Sequence, residues 1–129
     1  MKNKIVLFED ENLKMEVEVM NRDVWLTQKQ ISELFNKNQS VISRHINNIF
    51  NSGEIDKKSN MQKMHNANSD KPVEYYALDV ILAVGYRVNS KQGIEFRRWA
   101  SNILNYELYE LKKGTYMCFF ICLIYFLLI

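Results

Sequence analysis

Two cysteines, two histidines, four glycines and one proline leave few anchors for chemistry in 129 residues. Cys118 and Cys122 both fall in an apolar C-terminal stretch, and His45 and His65 stand far apart, so no Cys/His spacing fits a zinc site. No Gly-rich phosphate loop is present, and no Ser-His-Asp or Cys-His arrangement suggests a nucleophile. The adjacent acids Glu9, Asp10 and Glu11 read as the solvated tip of a hairpin. The expectation is therefore a protein that is not an enzyme, with no catalytic residue, metal or cofactor. The N-terminus lacks the apolar core of a signal peptide, which makes a reducing cytoplasm the expected compartment. Internal repeats and low-complexity linkers are also missing.

Charge of one sign is scarce as well. The formal net charge is +2 and the sequence pI is about 8.5, below the pI of about 9 usual for a dedicated nonspecific nucleic-acid binder. Any binding face must come from local clustering of Lys and Arg. The 47% hydrophobic and 25% charged content fits a folded domain rather than disorder. At 15.4 kDa, one domain is expected.

The run Ile5-Val6-Leu7-Phe8 is followed by Leu13, Met15, Val17 and Val19 alternating with Lys14, Glu16 and Glu18, a period-two pattern. It predicts a β-hairpin with an acidic turn, and Val24-Trp25-Leu26 predicts a third short strand. Thr27-Gln28-Lys29-Gln30 fits a capping box, in which a Thr hydroxyl and a Gln side chain satisfy free backbone amides. Ile31, Leu34 and Phe35 continue at helical spacing until Asn36-Lys37-Asn38 breaks the pattern. Asn38 suits the N-cap of a second helix with the apolar stripe Ile42, Ile46, Ile49 and Phe50, ended by Ser52-Gly53. Ser59 to His65 and Val73 to Tyr76 predict a second hairpin, with a turn at Asn68 to Lys71 and Pro72 at the strand start. Asp79 is expected to cap a helix through Val80, Ile81, Val84 and Tyr86. Ser90 is expected to cap a longer one that buries Ile94, Phe96, Trp99, Ala100, Ile103 and Leu104. The fold class that follows is α+β: an N-terminal β-hairpin, a helix-turn-helix, a wing-like β-hairpin and C-terminal helices.

The segment from Thr27 to Phe50 carries the functional expectation. A helix-turn-helix needs a buttressing first helix with a small residue at the crossing, a tight turn, and a second helix with polar reach at its start. Ser32 supplies the small residue, and Asn36 tolerates a left-handed turn. Gln39, Ser40, Ser43 and Arg44 supply the reach, with Asn47 continuing the same face. Gln and Arg make bidentate bonds to bases, while hydroxyls and helix N-terminal amides suit phosphate oxygens. Thr27, Gln28, Lys37 and Asn38 join this DNA-binding set at the helix starts, and Lys57, Lys58 and Lys63 join it as phosphate contacts from the wing. The expected partner is double-stranded DNA. His45 reads as packing at the helix edge, Arg97-Arg98 as a solvated face, and Tyr75, Tyr76 and Trp99 as core.

Several ordered stretches resemble the RhuM family of bacterial virulence-associated proteins. They are Trp25-Leu26-Thr27-Gln28, Ile31, Leu34-Phe35, Ser40 to Ile46, Ile49-Phe50 and Gly53-Glu54-Ile55, then Tyr75 to Ile81, Val84 to Val88, Ser90, Phe96-Arg97 and Trp99-Ala100. The resemblance runs from about Ile5 to Leu104. It implies a DNA-binding module of proteins often encoded near mobile elements or restriction systems, and a similar module occurs fused to AMP-transferring Fic-type domains. It carries over no catalytic residues. The reading divides the chain into a RhuM-like module at 1–104, a helix continuation or linker at 105–114 and an apolar tail at 115–129.

Met117 to Ile129 is 13 residues without a charge, short of the roughly 17 to 20 that span a bilayer. Lys112-Lys113 would suit the cytoplasmic side of a membrane. A shifted or shortened reading frame is the first expectation for this tail. Weak membrane attachment and burial in a homodimer interface are the others. The competing function is a protein-interaction module whose same helices bind a toxin or effector partner without DNA.

Overall fold

Side-chain alternation and two capped helices organise the chain into a sheet covered on one face by helices. The computed structural model describes residues 4–65 and 70–112, with side chains to Asn105. The segment at Asn66 to Ser69 and the tail from residue 113, with Cys118 and Cys122, lie outside the described residues. So do the expectations that fall on them: the turn at Asn68-Ser69 and the fate of the apolar tail.

Five strands form one antiparallel sheet: β1 (Lys4–Asp10), β2 (Leu13–Met20), β3 (Asp23–Thr27), β4 (Met61–Met64) and β5 (Val73–Ala77), in the order β1-β2-β3-β5-β4. On β2, Met15, Val17 and Val19 are buried while Lys14 and Glu16 are exposed, as period two requires. The β2–β3 turn closes Met20 onto Asp23 through Asn21 and Arg22, both at positive φ (53° and 62°). That is the backbone of a type I′ turn, whose twist matches the strands it joins.

The helices are α1 (Gln28–Phe35), α2 (Gln39–Asn51), the short α3 (Lys57–Asn60), α4 (Leu78–Arg87) and α5 (Gln92–Lys112). Phe8, Met15, Val17, Val19, Val24 and Leu26 meet Ile31, Leu34, Phe35, Ile42, Ile46, Ile49, Val80, Ile81, Val84, Phe96 and Ala100 in one core between sheet and helices. The Phe8, Phe96 and Trp99 rings interlock there at centroid separations of 5.2 to 5.5 Å, within the range in which aromatic pairs attract. A second, smaller cluster of Trp25, Tyr75 and Ala77 holds Met20, Met64 and Val73. The Trp25 indole N–H donates to the Met20 carbonyl at 2.9 Å.

Three expectations about the later elements change. The strand expected from Ser59 starts only at Met61, because Asp56 accepts from the Ser59 amide (3.2 Å) and starts α3 instead. Lys57 and Lys58 therefore sit on that helical turn and not on the hairpin. Asp79 lies inside the first turn of α4, whose N-cap is Ala77. The capping oxygen comes from Asp23, fifty-five residues earlier, which accepts from the amides of Leu78 (3.3 Å) and Val24 (2.8 Å). Ile94, expected on the buried side of its helix, is 62% exposed, and Tyr86 on α4 is 89% exposed. The last helix starts at Gln92, two residues past Ser90, whose hydroxyl still accepts from the Gln92 amide at 3.2 Å.

Candidate nucleic-acid interface

The turn between α1 and α2 is built from local chemistry. Thr27 Oγ1 accepts from the Gln30 amide (3.2 Å), and Gln30 Oε1 accepts from the Thr27 amide (3.0 Å), completing the capping box. Gln30 Nε2 also donates to the Glu16 carbonyl at 2.7 Å, which fastens the start of α1 to the sheet. Ser32 is buried at the helix crossing, its hydroxyl turned back to the Lys29 carbonyl at 2.7 Å. Asn36 takes the left-handed conformation (φ 53°, ψ 51°), and the Lys37 amide closes onto the Ser32 carbonyl at 3.0 Å. That six-to-one bond is the Schellman stop, which ends α1 and frees the chain to restart two residues later.

Asn38 is the N-cap residue of α2 by position, but its side chain makes no capping bond; its carbonyl accepts from Val41 and Ile42 at 3.1 Å. Along α2, Ile42, Ile46 and Ile49 are buried, whereas Gln39, Ser40, Arg44 and Asn47 are exposed and Ser43 is half-buried. Among the described residues, no hydrogen bond or ion pair engages the side chains of Gln39, Ser40, Arg44 or Asn47. Lys37 and Asn38 are exposed in the turn.

Gln28 links the two helix starts, donating from Nε2 to the Gln39 carbonyl at 3.3 Å. Thr27, Gln28, Lys29 and Gln39 line a groove of about 490 Å³ whose other wall is Pro72, Val73, Glu74 and Tyr76. Thr27 has its hydroxyl and amide committed to the capping box, so it holds the groove in shape and has little left for a ligand.

Lys63 is exposed on β4 and stands opposite Glu74 of β5 in the strand register. Glu74 accepts from the Tyr76 hydroxyl at 2.8 Å. Burial first, then this carboxylate, pushes the Tyr76 phenol far above the usual tyrosine range. Lys57 reaches the Phe50 ring at 5.9 Å, at the far end of α2 from Gln39. Eleven helical residues separate those ends, a distance of about 16 Å at 1.5 Å per residue. The structure thus groups Gln28, Lys37, Asn38, Gln39 and Ser40 around the helix starts, with Ser43, Arg44 and Asn47 along the next turns. Lys57 and Lys58 lie apart from them.

Lys29 and Glu74 also border the groove, beyond the residues the sequence singles out. Lys29 stands in the capping-box string itself. Glu74 alternates with the buried Tyr75 on a strand, so the period-two pattern was its signal. His45 is half-buried, and its Nδ1 is enclosed without a hydrogen-bond partner. Burial, then the charges of Arg44 and Arg87, holds its pKa below the usual 6.5. Asp23, at the base of α4, is raised by burial against the pull of its two backbone bonds.

No helix among the described residues is long and apolar enough to cross a membrane. No curated protein and no solved structure matches the chain. The family model of the Virulence protein RhuM family matches residues 53–117, just over half of the 129 residues. This span starts later and runs further than the Ile5 to Leu104 resemblance read from the sequence: it takes in the wing-like hairpin, α4 and α5, and leaves α1 and α2 before it. On that match, the chain belongs to the RhuM family of virulence proteins.

Proposed function

We propose that this chain is a sequence-specific DNA-binding module without catalytic activity, in which α2 reads the major groove and β4–β5 acts as a wing. The observation that carries the reading is the division of α2. Its underside is closed into the core by Ile42, Ile46 and Ile49, while Gln39, Ser40, Arg44 and Asn47 stand exposed and, among the described residues, uncommitted. Those are residue types that bond base edges and phosphates. The order strand, helix, tight turn, helix, hairpin, with β3 pairing the returning strand β5, supports the same reading, because it sets a wing beside the second helix.

In this mechanism Lys29, Lys37 and Lys63 contact phosphates, Gln39 and Arg44 contact bases, and Gln28 fixes the two helix starts relative to one another. The role fits a regulator carried on a mobile element and acting in the cytoplasm. A mobility-shift series with random duplex DNA tests it. The logarithm of the affinity should fall linearly with log salt, with a slope steeper by about 0.9 for each phosphate neutralised. Absence of binding at low salt would leave the protein-interaction role, with a toxin or effector as partner, as the better account.

A further inference from the structure

The sheet ends on one side at β1, and among the described residues no strand pairs with its outer edge. An open edge of seven residues is a template for another chain unless charges, proline or a bulge blunt it. The middle of β1 carries none of these. Ile5 and Leu7 stand 57% and 49% exposed on the face turned away from the main core. The charges lie at the ends and differ in sign, Lys4 at the start and Glu9-Asp10 at the finish. Read antiparallel against itself about Leu7, the strand sets Lys4 opposite Asp10, Val6 opposite Phe8, Ile5 opposite Glu9 and Leu7 opposite Leu7.

We propose that β1 is a homodimer interface, in which two copies pair their β1 strands antiparallel about a two-fold axis at Leu7. The pairing joins two five-stranded sheets into one of ten strands and satisfies the open backbone edge of both. It clusters Ile5 and Leu7 of both copies on the outer face, and it closes two Lys4–Asp10 ion pairs on the other. This charge match of the strand with its own reverse is what selects a second copy of the chain over an unrelated peptide.

The pairing also has a consequence that rests on the DNA reading. Phe50 at the end of α2 packs on Tyr76 of β5, with ring centroids 6.1 Å apart. In the dimer, β5 and its symmetry mate stand seven strand spacings apart, about 34 Å along the sheet at 4.8 Å each. Half-sites one helical turn apart on DNA are separated by roughly 34 to 36 Å. The two β5 strands are then separated along the sheet by a length of the same order as that half-site spacing, with strand twist and the roughly 16 Å from Phe50 to Gln39 setting the final separation of the two helix starts.

The test uses the full chain. Sedimentation equilibrium should give a dimer. Asp10→Lys should give a monomer, and the double variant Lys4→Asp, Asp10→Lys should restore the dimer. Mild oxidation of Leu7→Cys should give a covalent dimer above the wild-type background set by Cys118 and Cys122, whereas Ile5→Cys should not, because Ile5 faces Glu9. A monomeric wild-type chain would overturn the proposal. So would a dimer indifferent to the charge swap, or equal cross-linking at positions 5 and 7. A dimer with this pattern that binds no duplex DNA would support the pairing and remove only the DNA reading. A DNA-binding chain indifferent to the swap would do the reverse.

Discussion

The Phe35 ring occupies the space where a Cβ on Gly85 would stand, with Cζ only 2.9 Å from that position. Phe35 ends α1, and Gly85 lies within α4. This contact locks the helix-turn-helix, which precedes the family match, onto the part of the chain that the family defines.

Gly85→Ala should therefore destabilise the fold. Phe35 is buried, so its ring has little room to yield, and overpacking of this kind costs about 1–3 kcal/mol. The better helix propensity of alanine offsets up to about 1 kcal/mol of that. Denaturant unfolding should show a lower midpoint, and the double variant Phe35→Leu, Gly85→Ala should recover part of the loss.

Asn36 should tolerate glycine and resist β-branched residues. Its left-handed backbone (φ 53°) ends α1 and aims α2. Asn36→Val should cost about 1–2 kcal/mol, the penalty of that conformation for a residue with a Cβ, while Asn36→Gly should stay within about 0.5 kcal/mol. Thermal unfolding of the two variants side by side checks the difference.

The contribution of His45 to stability should fall as pH drops below about 6.5. Its imidazole is held below the usual pKa of 6.5 by burial, then by Arg44 and Arg87. The unfolded chain takes up a proton near pH 6.5, and the folded chain does so only at lower pH. The stabilisation is therefore complete above 6.5 and is lost as pH falls toward the folded value. Asp56, held below its usual 3.8 by Ser59, acts in a separate and more acidic range. Unfolding between pH 7.5 and 5.5 should show the decline, and His45→Gln should flatten it.

Glu74→Gln should strengthen DNA binding. The carboxylate stands opposite Lys63 and on the groove wall facing Lys29, where it opposes phosphate. The gain should reach up to about 1 kcal/mol at low salt and shrink as salt screens it. An amide oxygen still accepts from the Tyr76 hydroxyl, so the fold should keep its melting temperature.

Much of this fold was legible because its determinants are local. The capping box at Thr27 and Gln30, the left-handed Asn36 and the alternation on β2 all depend on residues within one turn or one strand. Where sequence reading failed, the deciding partner lay far along the chain or the local signal was ambiguous. Asp23 caps α4 from a distance that no window spans. Tyr86 and Ile94 fit a helical apolar stripe, yet α4 and α5 turn them to solvent. Lys57 and Lys58 read as hairpin residues until Asp56 draws the chain into a helical turn. The turn at Asn21 and Arg22 carried no glycine to announce its positive φ. For the candidate site, the residue types on α2 were legible, but the groove shared with β5 depends on strand pairing and was not.

The most direct test of the DNA-binding account is the effect of Arg44→Ala on affinity for a duplex enriched by sequence selection with the full chain. Arg44 is exposed on the outer face of α2 and has no ion-pair partner among the described residues, so the variant should fold normally. At fixed salt it should bind the selected site about 1–3 kcal/mol more weakly, with relaxed preference at the bases it reads. Wild-type affinity and unchanged base preference in that variant would contradict the account.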